Sequence, residues 1–236
     1  YMTLRGLIGI GRIQIESLTM IDLTAYGLES QGMPDMLAML TGLSIGAARW
    51  IVLLLIAGGL LAFCFKSASF RASRTNIVAG LIIGALIPLA WYVTGVIGYD
   101  DFDPAPLASF TFVAPVGESI QYLMTFTGAT INFGIAVVGG VIVGAFASSK
   151  ANGRFRIEAF TDSSDMVRHI VGGSIMGIGG VLALGCTIGQ GITGMSTLAL
   201  GSVIALLSIV AGGLFGMKYL EEGSIGGAFS AILSRE

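Results

Sequence analysis

Charged residues are scarce in this chain of 236 residues. Asp, Glu, Lys and Arg make up 11% of it, whereas a soluble domain carries about 25%. So few charges cannot coat a water-facing surface, which argues against a soluble enzyme. The net charge of −2 provides no basic face, so nucleic acid is not expected as a partner. The mean hydropathy of +0.88 indicates an integral membrane protein instead.

Cysteine and histidine are also rare. The two cysteines, Cys64 and Cys186, lie in apolar stretches, and His169 is the only histidine. Without a CxxC pair or a Cys/His cluster, the sequence predicts no zinc or iron–sulfur site, and we expect no cofactor. Nothing in the sequence indicates that the two cysteines meet in a disulfide. His169, next to Arg168, fits an interfacial position better than a catalytic one.

Long apolar runs, in contrast, are abundant. A helix needs about 20 apolar residues to cross the hydrocarbon core of a bilayer. Four runs fit one crossing each, and two more are interrupted by proline or glycine, so we predict an all-α fold of polytopic transmembrane helices. The predicted spans are about 49–65, 76–98, 130–148 and 201–217. They belong to a membrane domain, 49–236, and residues 1–48 are expected to form the end of an upstream helix and a loop or interfacial segment.

The positive charges set the orientation of such helices. Lys and Arg collect in two loops, 66–76 and 149–169, which we expect to be cytoplasmic. Three complete crossings between these loops would place the second one outside. A segment 106–126 that enters and leaves by the same face resolves the conflict. Pro115 and Glu118 also disfavour a simple span there, so we predict that 106–126 is re-entrant.

Residues 170–200 form the second interrupted run. One continuous helix of this length would measure about 46 Å, which is well over the bilayer core. Two short helices that meet at a break within Gly185–Gly191 fit the thickness of the bilayer better. Before the break, Gly173, Gly177 and Gly180 share one helix face, which favours close approach of another helix. Because paired broken segments are typical of transporter binding sites, we expect 106–126 and 170–200 to line one central site.

The predicted break carries the most informative side chains. Glycines there can adopt unusual backbone angles or let a ligand approach the backbone, although ordinary helix packing is the alternative role. Threonine and glutamine add polar atoms without net charge. A cysteine in an apolar stretch is more often a small buried hydrophobe, but its polar neighbours favour a functional role here. The candidate substrate-binding residues are Gly185, Cys186, Thr187, Gly189, Gln190 and Gly191.

Glu118 is the only Asp, Glu, Lys or Arg in the apolar segments 107–147 and 170–217. A charge at bilayer depth costs at least about 2.5 kcal/mol. Glu118 therefore either has a function or lies near the interface, and the sequence leaves both readings open. Ser109 and Thr111 add polar atoms to the same segment, so these three are candidate pore-lining residues.

Several stretches resemble a known family. The most specific surrounds Cys186 and reads GGVLALGCTIGQGITGMSTLALGS, Gly179–Ser202. The others are YMTLRG (Tyr1–Gly6), NIVAGLIIGALIPLAWYVTG (Asn76–Gly95) and SFTFVAPVGESIQYLMTFTG (Ser109–Gly128). Together these stretches resemble the YeeE/YedE family of sulfur-transport membrane proteins, which take up thiosulfate.

The resemblance implies a pinched fold with buried re-entrant loops, built from two pseudo-symmetric halves. It also implies a bacterial inner-membrane protein that passes its ion between cysteine thiols, with TusA-like sulfur carriers as cytoplasmic partners. Family members are longer, and the chain begins at Tyr1 rather than Met. We therefore expect that this chain is a fragment holding mainly the second half, and that the missing upstream part carries partner cysteines.

Three functions are compatible with these residues. The preferred one is uptake of a small sulfur anion, most simply thiosulfate, through a pore lined by the neutral Cys186 thiol and by N–H groups at helix N-termini. A membrane sulfurtransferase with a persulfide at Cys186 would need an activating His, Lys or Arg, and the run from Ile170 to Met217 has none. The third function is a non-transporting scaffold for a soluble sulfurtransferase.

Overall fold

The computed structural model describes residues 8–19, 30–101, 106–160 and 162–233, and helices dominate all of them. The expected all-α fold is confirmed. Parts of the predicted upstream helix and loop, 1–7 and 20–29, lie outside the described residues. The helices are α1 (Ile8–Thr19), α2 (Met33–Thr41), α3 (Ile45–Lys66), α4 (Ala68–Ala72), α5 (Arg74–Tyr92), α6 (Val113–Thr125), α7 (Phe133–Ala151), α8 (Ser163–Leu182), α9 (Leu200–Glu222) and α10 (Ile225–Leu233).

Three shorter helical pieces complete the described chain. A π-helical turn, Val93–Ile97, extends α5, and a 3₁₀ turn, Phe126–Gly128, follows α6. The third piece, Thr187–Gly194, is also π-helical and follows α8; we call it the π segment. Residues 106–112, which lead into α6 and are not helical, are called the lead-in segment.

Among the residues that the structure describes, five helical segments are long and apolar enough to cross a membrane. They are α3, α5 with its π-helical turn, α7, α8 together with the π segment, and α9. Their mean hydropathies range from 1.6 to 2.2, with few charges in each. The chain is thus a multi-pass membrane protein. The depth at which each helix sits in the bilayer remains a prediction.

Polar side chains fix where these helices begin. Ser44, Ser73 and Asn132 accept hydrogen bonds from backbone N–H groups in the first turns of α3, α5 and α7. Such caps satisfy N–H groups that have no partner within the helix. Asp162 caps α8, and the Ser164 hydroxyl and backbone N–H that bind its carboxylate lower the pKa of Asp162. The sequence therefore sets the starts of the long helices locally.

Large apolar side chains point outward along most of the described helices. Phe63 on α3 and Leu81 on α5 are 77% and 68% exposed, as suits a surface that meets lipid. Tight packing is concentrated where α5, the lead-in segment, α6, α8, the π segment and α9 meet. The buried residues of this junction are Ile87, Ala90, Thr94, Ser109, Pro115, Gly117, Val181, Gly185 and Ser202.

The run 170–200 is interrupted twice. α8 ends at Leu182, non-helical residues follow up to Cys186, and the π segment begins at Thr187. The break is therefore earlier and shorter than the predicted Gly185–Gly191, because most of that stretch keeps a helical path with i→i+5 bonding. A second interruption follows the π segment, where Gly32 pairs with Ala199 as an isolated antiparallel bridge that ties the start of α2 to this turn.

The end of α8 is a Schellman motif with a leucine in the position that usually holds glycine. The Gly185 N–H donates to Gly180 O at 2.8 Å and the Leu184 N–H donates to Val181 O at 3.2 Å. Leu184 must therefore adopt a left-handed backbone, with φ +56°. Leu198 has φ +57° after the π segment, so strained residues flank this segment on both sides.

We expect Leu184→Gly to stabilise the protein by about 0.5–1 kcal/mol. Left-handed backbone costs a leucine roughly 1–2 kcal/mol, and glycine returns about half of that as lost chain entropy. Thermal unfolding of the purified protein in detergent measures the effect. Leu182→Gly, within the last turn of α8, is the control and should destabilise. Equal losses of stability in both variants would contradict the strain at Leu184.

Candidate functional site

The lead-in segment is held against the end of α5 by two hydroxyl groups. Ser109 is 5% exposed, and its hydroxyl donates to Ile87 O at 3.1 Å. Thr94 is 6% exposed; its Oγ1 lies 2.7 Å from Ala108 O and accepts the Ala108 N–H at 3.2 Å. These bonds satisfy backbone groups of a non-helical stretch that would otherwise be costly to bury. They fix the path by which the chain enters α6.

Thr94 was not among the predicted site residues. A lone threonine in an apolar run usually bonds its own helix, and Thr94 does so with Ala90 O at 2.9 Å. Its second role depends on Ala108, which is 14 residues away in sequence. Thr94 lies in a π-helical turn that begins at Val93. No pattern in the sequence predicts this turn, so the contact with Ala108 could not be expected.

We expect Thr94→Val to destabilise the protein by about 1–3 kcal/mol, because the part-buried Ala108 N–H loses its acceptor and the Ala108 carbonyl loses the hydroxyl proton that it shares with Ala90 O. Valine keeps the shape of the threonine side chain, so packing is preserved. Thr41→Val is the control, since the Thr41 hydroxyl is exposed and bonds Leu37 O of its own helix. Thermal unfolding in detergent compares the two variants. A Thr94→Val melt that matches the control would contradict this role.

The π segment packs directly on the lead-in segment. Thr193 Oγ1 donates to Phe110 O at 2.6 Å. A Cβ atom on Gly189 would lie 2.7 Å from Thr111 Oγ1, so the backbones approach this closely only because residue 189 is glycine. The two interrupted stretches that the sequence paired as one central site are therefore in contact.

Gln190 organises the polar interior of the π segment. Its Nε2 donates to Ala183 O at 2.8 Å, and its Oε1 accepts the Ser202 hydroxyl at 2.7 Å. Its backbone N–H donates to Cys186 O, also at 2.8 Å. The side-chain amide thus joins the end of α8, the π segment and the start of α9. This fixed position makes Gln190 part of the framework that presents Cys186.

Cys186 lies at the wall of the larger cavity, which we call the Cys186 cavity. Its volume is about 800 Å³, and its walls come from α6, α8 and the start of the π segment. Cys186 is half-buried and Thr187 beside it is exposed. The remaining walls are almost wholly apolar or glycine: Phe112, Val113, Val116, Gly117, Gly173, Ser174, Met176, Gly177, Ile178, Val181 and Ile188.

The glycine face of α8 was predicted to allow close approach of another helix, and it does so at only one of its three glycines. Val113 Cγ2 would lie 3.0 Å from a Cβ on Gly180, so α6 does approach closely there. At Gly173 and Gly177, however, no heavy atom lies within 4 Å of such a Cβ. These two glycines widen the cavity instead of admitting a neighbouring helix of the described chain.

A second, smaller cavity lies on the opposite face of α6; we call it the Glu118 cavity. Its volume is about 440 Å³. Ser109, Thr111 and Glu118, the three candidate pore-lining residues, all line it. Asn132 Nδ2 donates to Glu118 Oε2 at 2.8 Å. α6 therefore separates an apolar, thiol-bearing cavity from a more polar, carboxylate-bearing one.

The sequence model for sulphur transport matches residues 18–215 of this chain. The chain belongs to the sulphur transport family. The YeeE/YedE resemblance drawn from the stretch around Cys186 is thus confirmed. Thiosulfate transporter TsuA of Escherichia coli (strain K12) is 31% identical over 115 residues, which cover 49% of this chain and 30% of TsuA. No solved structure gives a significant match.

In this member of the sulphur transport family, the nine candidate residues fall into three groups. Cys186 and Thr187 line the larger cavity, and Ser109, Thr111 and Glu118 line the smaller one. The other four line neither cavity: Gly189 lies against the lead-in segment and Gly191 lies against Leu206 of α9. Gly185 and Gln190 hold the end of α8.

Both cysteines of this family member are free thiols. Cys64 lies in the last turn of α3 and Cys186 precedes the π segment. In the described ranges, no three His, Cys, Asp or Glu side chains gather closely enough to hold a metal ion. Of the two thiols, Cys186 is the one that lines the larger cavity.

Proposed function

We propose that this protein takes up thiosulfate, or a closely related small sulfur anion, across the bacterial inner membrane. One observation carries the proposal: the thiol of Cys186 lines an apolar cavity at the point where α8 is broken and a new helical segment starts. The membership in the sulphur transport family and the similarity to a thiosulfate transporter over about half of the chain support it.

The lining of this cavity suits passage of an anion better than tight binding. An ion that leaves water for a low-dielectric medium loses of order tens of kcal/mol of hydration by idealised estimates, so the path must replace part of its water. A fixed cation would hold the ion. The first N–H groups of a helix have no partner within that helix and carry about +0.5 charge. Thr187 and Ile188, which begin the π segment, line the cavity beside Cys186.

Cys186 is proposed to act as a neutral hydrogen-bond donor toward the anion. A thiol is a weak donor whose soft sulfur matches the terminal sulfur of thiosulfate. The Cys186 side chain makes no capping hydrogen bond to the π segment, so the S–H group is not committed there. Further cysteines along the path would receive the ion in turn.

A sulfurtransferase with a Cys186 persulfide is the second candidate, and the cavity disfavours it. Such a reaction needs a thiolate stabilised by a nearby cation. The residues that line the Cys186 cavity include no His, Lys or Arg in the described part of the chain. Intact-mass spectrometry of the full-length protein after exposure to thiosulfate separates the two: an unmodified Cys186 supports transport, and a persulfide supports the enzyme.

The loops 66–76 and 149–169 are proposed to face the cytoplasm, because they carry most of the Lys and Arg residues. A TusA-like sulfur carrier would then meet the released ion at this side. A scaffold for a soluble sulfurtransferase would use the same loops but would move no ion by itself.

Uptake by the purified full-length protein in liposomes, with no partner present, tests the proposal directly. We expect vesicles to accumulate radiolabelled thiosulfate faster than protein-free vesicles. Unlabelled thiosulfate should compete, whereas sulfate, which lacks the terminal sulfur, should compete weakly. Selenite, added as a third competitor, tests whether the protein also accepts a selenium anion. Vesicles that accumulate no more label than protein-free ones would contradict transport and favour the scaffold.

A further inference from the structure

The Glu118 cavity has a chemistry that the proposed passage of an anion does not explain. α6 places Val113, Val116 and Gly117 toward the Cys186 cavity, and its opposite face turns Pro115 and Glu118 toward the smaller one. A carboxylate would repel an anion in transit. The small cavity is therefore unsuited to thiosulfate, and in this inference Ser109, Thr111 and Glu118 lie beside the path of the anion and do not bind it, although their cavity shares α6 with the thiol-bearing site.

The carboxyl group of Glu118 is held in place on one side only. Asn132 donates to Glu118 Oε2, and the same Asn132 accepts the Ile135 N–H through Oδ1 at 2.9 Å, which fixes the orientation of its amide. In the described ranges no Lys or Arg forms an ion pair with Glu118. The described chain therefore presents to this cavity an anchored carboxyl group that has no Lys or Arg paired with it.

Among the described residues, few other titratable groups lie near Glu118; Asp100 and Asp101 follow the wall residue Gly98 in sequence but do not line the cavity. Thr94, the lead-in segment and the start of α7 contribute hydroxyl, amide and apolar groups to the cavity. On α6 itself the nearest titratable side chain in sequence is Tyr122, one turn later. Within the described chain, no other wall of this cavity contributes Asp, Glu, Lys, Arg or His. Glu118 is thus the one acidic or basic side chain that the described chain contributes to this cavity.

The balance of charge across the membrane gives a reason for a carboxyl group in this cavity. Uptake of a dianion moves two negative charges against an interior-negative potential, which opposes entry. Each proton that travels with the anion removes one of these charges. We propose that the Glu118 cavity is a proton site and that Glu118 couples uptake of the sulfur anion to entry of protons. This inference rests on the proposed function.

Proteoliposomes of the full-length protein test the coupling. A more acidic exterior should speed initial uptake of radiolabelled thiosulfate several-fold, and a pH-sensitive dye trapped inside should report acidification when thiosulfate is added. In Glu118→Gln, both the stimulation and the acidification should disappear. Exchange of internal for external thiosulfate at equal pH should persist, because glutamine still accepts the hydrogen bond from Asn132. Glu118→Asp should keep the stimulation.

Glu222→Gln is the matched control, since Glu222 lies exposed at the end of α9, away from both cavities. It should respond to the gradient as the wild type does. Three results would overturn the coupling: stimulation that survives in Glu118→Gln, exchange that is lost together with uptake in that variant, or wild-type uptake that ignores the pH gradient. The last leaves the proposed function intact, whereas a wild type with no uptake removes the proposed function itself.

Discussion

Cys186→Ala is expected to reduce thiosulfate uptake to the background of protein-free vesicles. The substitution removes the one thiol that lines the large cavity in the described structure and leaves the surrounding helices unchanged. A hydrogen bond to a charged group contributes about 1.5–3 kcal/mol, which corresponds to about a 10- to 100-fold loss of rate. Initial uptake of radiolabelled thiosulfate by the full-length protein in liposomes measures it.

Two further variants test whether the loss of thiosulfate uptake is caused by removal of the Cys186 sulfur. Cys64→Ala removes the other thiol, which lies on α3 and lines neither cavity, and it should transport normally. Cys186→Ser keeps a hydrogen-bond donor and should retain part of the uptake. Normal uptake by Cys186→Ala would remove this residue from the mechanism. Equal losses in both alanine variants would point to a general defect of folding or insertion.

Gly194→Ala is expected to destabilise the junction by about 1–3 kcal/mol, the usual cost of overpacking. A methyl group at this position would overlap the Ser202 hydroxyl and lie 2.8 Å from Gln190 Oε1. It would therefore break the hydrogen bond by which Ser202 holds Gln190. Because Gln190 also binds Ala183 O, the end of α8 should loosen and uptake should fall. Thermal unfolding in detergent and uptake are measured together.

Gly201→Ala provides the matched control, because it lies next to Ser202 and a methyl group there would meet no heavy atom within 4 Å. It should melt at the wild-type temperature or slightly above, since alanine favours helix over glycine by about 1 kcal/mol. A Gly194→Ala variant as stable as Gly201→Ala would contradict the packing of the π segment against α9. Equal destabilisation of both would show that any glycine near Ser202 is needed.

Much of this fold could be predicted because its determinants are local. Apolar runs of sufficient length indicate spanning helices, and the polar caps Ser44, Ser73 and Asn132 mark their starts. The two interrupted stretches, 106–126 and 170–200, could also be predicted. The first contains a proline and a glutamate that disfavour a simple transmembrane helix, and the second is too long for one crossing. Their contact through Thr193 and Phe110 depends on packing between residues far apart in sequence, so it could be expected only by analogy with other transporters.

The details of the site depend on backbone geometry that residue types do not encode. Leucine is an unfavourable choice for a left-handed cap, so the turn at Leu184 could not be expected there. The glycines after it indicated an irregular turn, but they belong to a π segment with a different period. Gln190 was expected to face the substrate because it is polar. Its partners, Ala183 and Ser202, come from two other elements.

If the Cys186 sulfur faces the path of the anion, a structure of the full-length protein with bound thiosulfate should show the two in contact. We expect density for the ion in the cavity between α6 and α8, with its terminal sulfur in hydrogen-bond contact with Cys186 Sγ. A Cys186 side chain turned to lipid, or an ion bound away from that thiol, would contradict it.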